Sequence, residues 1–405
     1  MLELFNSLGK RIETFQPVSK DMVRIFTCGP SVYQRSHIGN FRTFLLEDIL
    51  VRYLEYSGYR VKRGMNFTDI EDKAIQEAAR TKTSLAALTE GNIQAFIREM
   101  EAMRMRIPDH MPRASQSVDY AADIIERLLD LGVAYWHKDN VYFDPLKYRG
   151  FGELYGLDMT QWPAKRRRFH KDTYQGLRWN RGDFVLWHGS EEKAGICWNT
   201  KIGRGRPAWN IQDPSMIIQY FNDTLSIYCG GIDNLFRHHD YSRAILESIR
   251  PYPMAKFWLH CHHLYVANRK MSKSKGNVYY IDTLRKQGHK LDEIRFFLMY
   301  GHYRKRLNFS HKTMGRAVET LRRFKQTVGA IQRQAGAGSD LDSTAAKETK
   351  MTFARKMDSD LDVKGAIDNL QLFLSAMDVK RLKPSTASGV IHALRDIDEV
   401  LCVIF

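Results

Sequence analysis

The chain lacks any run of about 18 apolar residues, the length a membrane-crossing helix needs, so no segment reads as a transmembrane helix. It is also short of cysteine. Cys28, Cys197, Cys229, Cys261 and Cys402 lie scattered without CxxC spacing, which fits a reducing cytoplasm better than a disulfide scaffold. The opening Met1-Leu2-Glu3-Leu4-Phe5 has no basic n-region, so a secretory signal is not expected and a cytoplasmic location is. No internal repeat is visible. Acid is scarce relative to base: 46 Asp and Glu against 62 Lys and Arg give a net charge of +16 and a pI near 9.5. That balance favours a polyanionic partner; it bears on steering and says nothing about fold. With 405 residues, 43% of them hydrophobic, the chain can bury a core and is expected to form roughly two or three domains.

What is present reads first as an α/β core. Val23-Arg24-Ile25-Phe26-Thr27-Cys28 has strand character and stops at Gly29-Pro30. From His37 an amphipathic helix is predicted, with Phe41, Leu45, Ile49 and Tyr53 at helical spacing. A second strand begins at Tyr59 and runs through Thr68 to the acidic turn Asp69-Ile70-Glu71-Asp72. Strand, helix and strand make a βαβ unit and hence a parallel sheet, whose ligands sit at the carboxyl ends of strands. Cys28, His37 and Thr68 fall there. Residues 74–136 are expected to be helical and 144–182 loop-rich. Asp183–Trp187 and Leu225–Tyr228 are expected to resume the core as strands. The basic run Lys165–Lys171 is a candidate phosphate-backbone contact. Residues 283–334 and 344–405 read as helical, with a flexible break at 335–339.

Two distant stretches carry the chemistry. Lys270-Met271-Ser272-Lys273-Ser274-Lys275-Gly276-Asn277 packs three lysines into six residues, giving mobile ammonium groups that can close on a polyphosphate. Ser36-His37-Ile38-Gly39-Asn40 opens the predicted helix, where free N–H groups and the macrodipole favour phosphate. Gly39 lets a nucleotide approach the backbone, and Asn40 can still donate a hydrogen bond. The pair resembles the HIGH and KMSKS signatures of class I aminoacyl-tRNA synthetases.

The chain further resembles the cysteinyl-tRNA synthetases. Phe26–Tyr33, Thr68–Lys73, Asp183–Trp187, Gly205–Trp209, Gly230–Asp233, Phe236–His239, His302–Arg304 and Leu307–Ser310 run in family order. The resemblance implies a Rossmann-like (HUP-type) parallel sheet core over 1–73 and 137–282. A helical insertion would span 74–136, and a truncated C-terminal helical domain 283–405. It implies ATP with Mg²⁺, an amino acid that is cysteine or related, a tRNA acceptor and a monomer. His37, Asn40, Lys270 and Lys273 would be catalytic. ATP would be held by Gly29, His37, Gly39, Asn40, Gly230, Asp233, Lys270 and Lys273, and the amino acid by Cys28, Thr68, Trp209 and His238.

In that family a Zn²⁺ on two Cys, a His and a Glu binds the substrate thiolate, a soft-ligand way to choose cysteine over serine. Here Cys28 and His238 match, but Asp213 stands at the second Cys and Ser242 at the Glu. Loss of the metal is therefore the leading expectation; if zinc is kept, Cys28, Asp213 and His238 are the expected set with one position open, and Cys229 is a possible replacement thiolate. His260, His262 and His263 are expected to be packing and polar-network residues. The His-His-acidic-Tyr-Ser pattern at 238–242 is similar to that of the mycothiol-pathway ligase, which joins activated cysteine to an amino sugar. Transfer to a small amine or carrier is thus a second expectation, and a non-catalytic RNA-binding module a third.

Overall fold

A computed structural model describes residues 1–159, 182–189, 196–271, 276–336, 340–341 and 343–405, and of Lys270 the backbone alone. Its amino-terminal hairpin pairs β1 (Glu3–Asn6) antiparallel with β2 (Arg11–Thr14). β3 (Val23–Thr27), α1 (Ile38–Tyr56) and β4 (Val61–Met65) then form the βαβ unit that the residue pattern predicts. α2 (Asp72–Thr81), α3 (Leu85–Ala102) and α4 (Val118–Asp130) follow. Between α3 and α4 the chain is extended, and His110 and Arg113 bridge to Gly64 and Phe67 beside β4. Residues 103–113 are therefore not helical: the carbonyls of His110 and Pro112 accept from Met65 and Phe67, and His110 N donates to Arg63 O across the sheet edge.

A second sheet, in the order β5-β6-β7-β9-β8, is built from β5 (Ala134–His137), β6 (Asn140–Phe143), β7 (Phe184–Gly189), β8 (Trp198–Thr200) and β9 (Gly203–Pro207). All its pairings are antiparallel. The stretch expected to rejoin the parallel core at Asp183–Trp187 belongs here. Its apolar run pairs with Val141–Phe143, a choice of partner that a short buried strand does not encode locally.

The core sheet closes with α5 (Trp209–Tyr220), β10 (Leu225–Gly231), α6 (Tyr241–Ile249) and β11 (Ala255–Cys261). Its order is β11-β10-β3-β4, all parallel. Successive side chains alternate between two packed faces, as buried parallel sheets require. Ile25, Ile227, Cys229, Leu259 and Cys261 face α1, while Phe26, Tyr228 and Trp258 pack with α4 to α6. β12 (Leu264–Val266), β13 (Arg269–Lys270) and β14 (Leu307–Phe309) form a small sheet around α7 (Ile281–Lys286) and α8 (Leu291–Met299). α9 (His311–Gln334), α10 (Thr344–Met357), α11 (Val363–Ser375) and α12 (Pro384–Leu401) finish the chain as a bundle. No helix among the described residues is long and apolar enough to cross a membrane.

Buried polar contacts hold α1 in place. Arg63 Nη2 meets Glu47 Oε2 at 2.8 Å, with Thr27 Oγ1 beside it. The Arg42 guanidinium donates to the carbonyls of His262, Leu298, His302 and Lys305. Arg295 donates to Asp48 Oδ2 at 2.8 Å and to the carbonyls of Met103 and Leu401. The hairpin ties both ends of the molecule together: Asn6 bonds to Lys256 and Trp258 of β11, while Glu3 and Phe5 bond to Asp358 and Asp360.

Candidate functional site

The carboxyl ends of β3, β4 and β10 open into a cavity of about 330 Å³. Its floor is made by backbone. Cys28 N donates to Cys229 O at 2.9 Å, Gly29 N donates to Asn66 Oδ1 at 2.7 Å, and Ser31 bridges Thr68. A Cβ on Gly29 would lie 1.9 Å from the Asn66 carbonyl, so only glycine allows this close crossing.

At one wall stands the start of α1. His37 is its N-cap: Asn40 N donates to His37 Nδ1 (3.2 Å), and His37 N donates to Asn40 Oδ1 (3.0 Å). This reciprocal cap satisfies two otherwise orphaned donors. It also sets the imidazole tautomer, because a neutral ring that accepts at Nδ1 carries its proton on Nε2. Asn40 thus works through its carbonyl oxygen as a clamp on His37, beyond the donor role read from the sequence. Facing this wall is the start of the lysine stretch. Lys270 pairs with Tyr265 across β13 and β12, and Met271 is buried in the cavity lining, its sulfur 3.5 Å from where a Cβ on Gly39 would be. Lys273 lies outside the described residues, as does the Lys165–Lys171 run. Gly231, Asp233 and His263 also line the cavity, with His263 Nδ1 3.9 Å from Asp233 Oδ1. Gly230, expected to touch nucleotide, lies against the His239 ring.

At the other end sit Cys28, Thr68, Trp209 and His238. Trp209 stacks on His238 with ring centres 4.3 Å apart and planes 5° from parallel. A one-turn π-helical segment, Leu235–Asp240, leads into α6 and turns both His238 and His239 inward. Wide turns of this kind occur often at functional sites. Asn234 Nδ2 donates to Cys28 Sγ at 3.3 Å. Burial, then the Asp213 charge, pushes the Cys28 thiol well above its ordinary range. Burial also pushes the Glu71 carboxyl up to about 7, against Lys73 and His238.

The expected metal set needs correction. Asp213 is not aimed at Cys28. Its Oδ2 accepts from Tyr228 Oη (2.6 Å) and His238 Nε2 (2.9 Å), and its Oδ1 from Asn66 Nδ2 (2.9 Å). Cys229 is also ruled out as a ligand: strand alternation sends its side chain through the sheet to the α1 face, among Ile25, Leu259 and Cys261. The donor atoms that converge, within 4.8 Å of one another, belong to Cys28, His238 and His239. His239 was not singled out from the sequence, since the register of two adjacent histidines in a π-turn leaves no periodic signal. His260 does belong to a polar network: its Nε2 meets His239 Nδ1 and its Nδ1 meets Ser7 Oγ, each at 2.8 Å. Burial pushes His260 down to about 3 and His239 well below its usual range, so both rings are neutral at physiological pH.

Gly230 matters to this packing. An added Cβ would come 2.6 Å from His239 Cε1 and 3.1 Å from Cys28 Cβ, both rigidly held. Gly230→Ala is expected to lose roughly 1–3 kcal/mol of stability through overpacking. Thermal denaturation checks this; an unchanged melting temperature would mean the rings have room to move.

Comparison with known proteins follows the same lines. Residues 14–319 match the family described as tRNA synthetases class I (C) catalytic domain. A cysteine–tRNA ligase of Koribacter versatilis is 36% identical over 411 residues, covering 100% of this chain and 82% of that protein. One from Chlamydia muridarum is 32% identical over 421 residues, covering 100% and 88%. Among solved structures, Mycobacterium tuberculosis methionyl-tRNA synthetase in complex with methionyl-adenylate superposes with a TM-score of 0.67 at 14% identity, over 94% of this chain and 92% of that one. That likeness concerns the fold.

Proposed function

This chain belongs to the class I tRNA synthetase family of the cysteine–tRNA ligases, and from that premise we propose that it forms an aminoacyl-adenylate from ATP and cysteine or a related amino acid, then transfers the acyl group to tRNA. The observation that carries the proposal is the meeting of His37–Asn40 and Met271 across one cavity at the carboxyl ends of parallel strands. In the first step the substrate carboxylate attacks the α-phosphorus of ATP, the α–β bond breaks and pyrophosphate leaves. Such a reaction is catalysed mainly by positioning and charge neutralisation. His37 Nε2–H and the first N–H groups of α1 would bind phosphate oxygens, Asn40 would hold His37 in its tautomer, and Lys270 and Lys273 would neutralise the departing pyrophosphate with Mg²⁺. Gly29, Gly39 and Asp233 would border the nucleotide, and Thr68 and Trp209 the amino acid. In the second step a ribose hydroxyl of tRNA attacks the carbonyl carbon and AMP leaves.

The zinc that the family implies fits this site, because buried ring nitrogens of His238 and His239 beside Cys28 have no hydrogen-bond partner among the described residues. When bound, it would hold a thiolate substrate in preference to a hydroxyl. The reading keeps residues 1–73 and 137–282 as the catalytic core, 74–136 as an insertion and 283–405 as a helical domain. Five free cysteines support a cytoplasmic enzyme, taken here as a monomer.

Amino-acid-dependent ATP–pyrophosphate exchange, run across all amino acids without tRNA, tests the reading. Exchange with cysteine, abolished by EDTA, is expected. Exchange with a different amino acid alone would make the enzyme respecified, and none under any condition would overturn the proposal. A tRNA acceptor carries its own test: charging should weaken steeply as salt is raised, as phosphate contacts require. Charging of a small amine with no transfer to tRNA would favour the biosynthetic alternative, which the pattern at 238–242 suggests and Asp213 does not share.

A further inference from the structure

Asp213 and Ser242 stand where the resemblance leads one to expect a second thiolate and a carboxylate. Their surroundings indicate what replaced them. Asp213, fully buried, already accepts from three donors, Asn66, Tyr228 and His238, and does not converge on Cys28. Ser242 is buried as well, and its neutral hydroxyl cannot supply the charge of a carboxylate ligand. Two imidazoles beside Cys28 are differently placed. His238 is 1% exposed and His239 fully buried. His238 spends Nε2 on Asp213, leaving Nδ1 without a partner among the described residues. His239 spends Nδ1 on His260, leaving Nε2 without one. Unsatisfied buried ring nitrogens are costly unless something fills the point at which they aim.

The geometry points to a rebuilt metal centre: Zn²⁺ bound by Cys28 Sγ, His238 Nδ1 and His239 Nε2, with Asp213 as a positioning residue and not a ligand. The inference rests on the zinc-dependent reading above and assigns its protein ligands. One sulfur and two imidazole nitrogens form a donor set that zinc accepts, and three protein ligands leave the fourth tetrahedral position for substrate.

The supporting hydrogen bonds have the direction this demands. A carboxylate that accepts from His238 Nε2–H fixes the lone pair on Nδ1, the carboxylate–histidine arrangement usual behind metal ligands. On the other side, His239 Nδ1–H would donate to His260 Nε2, and His260 Nδ1–H to Ser7 Oγ, which fixes the lone pair of His239 on Nε2. Gly230 keeps the space between Cys28 and the His239 ring free of a side chain. Asn234 Nδ2 is placed to donate to the sulfur once it is a thiolate. In this arrangement the Cys-to-Asp difference at 213 moved a residue from holding the ion to aiming a ligand, and His239 took over the vacated coordination.

The test uses the full chain without ATP, so it stands whatever the exchange assay returns. The purified protein is stripped with chelator and titrated with Co²⁺, whose ligand-field absorption reports tetrahedral geometry and whose sulfur-to-metal band reports thiolate. The expected result is about one ion per chain with both signatures. Cys28→Ser should lose the sulfur band and His239→Ala should lose stoichiometric binding. Asp213→Asn should keep one ion and the same spectrum, with affinity lowered about 10–100-fold. Absence of Co²⁺ binding to the intact protein would overturn the proposal. So would an Asp213→Asn protein that binds none while His239→Ala binds normally. Should His239→Ala fail to fold, X-ray absorption of the zinc-loaded intact chain decides. One sulfur and two imidazoles support the site; one imidazole with a carboxylate oxygen in its place overturns it.

Discussion

Lys273→Ala will slow adenylate formation by two orders of magnitude or more, on the order of 3 kcal/mol of lost transition-state stabilisation. The charge that Lys273 would meet exists fully only as pyrophosphate departs, so the loss belongs in kcat more than in the ATP KM. Met271, two positions earlier, is buried against Gly39 at the start of α1, and β13 anchors Lys270 to β12. The stretch therefore begins within reach of the helix terminus proposed to bind phosphate. Pyrophosphate exchange under saturating ATP measures the effect, and a near-normal rate would assign the lysine cluster another task.

Asp48→Asn will destabilise the chain by roughly 3–5 kcal/mol, the cost of leaving a buried guanidinium without its counter-charge. Asp48 is fully buried and accepts from Arg295, Arg52 and the Arg106 N–H, and Arg295 itself is 1% exposed. The denaturant midpoint followed by tryptophan fluorescence reads the loss. Asp48→Asn combined with Arg295→Met should lose less than Asp48→Asn alone, since the stranded charge is gone. Burial alone would raise the Asp48 carboxyl, but Arg295 and Arg52 override it and hold the group below the ordinary carboxylate range. Its stabilising contribution is therefore complete above the unfolded carboxylate pKa and drains away as pH falls towards the depressed folded value. The native chain should lose stability on acidification more steeply than Asp48→Asn. Parallel acid profiles would sink the assignment.

Periodicity and turn residues made β3, α1 and β4 legible, and with them the edge where the cavity opens. The second sheet was hidden because Phe184–Gly189 is a short apolar run that suits either sheet, and only the pairing with Val141 to Phe143 decides it. The extended path of 103–113 was hidden for the related reason that bridges to Gly64 and Phe67 leave no repeat in the sequence. His37, Gly39 and Asn40 were readable as cavity residues because they open a helix. The amino-acid end was read only in part. Cys28 and His238, expected by position, do converge, but Asp213 and Cys229 were assigned by residue type, and side-chain direction sent both elsewhere. Buried pairs such as Glu47–Arg63 and Asp48–Arg295 give no local sign, since such residues are ordinarily solvated.

The amino-terminal hairpin has a reach out of proportion to its size. Ser7 follows β1 directly and ends the chain of contacts that orients His239, while Glu3 and Phe5 are stitched to the helical bundle more than 350 positions away. Trimming the first ten residues, or burying them under an affinity tag, would therefore disturb the His239 side of the cavity and loosen the far end of the polypeptide together. Amide exchange at Phe5 and at Asp360 should slow or quicken in step.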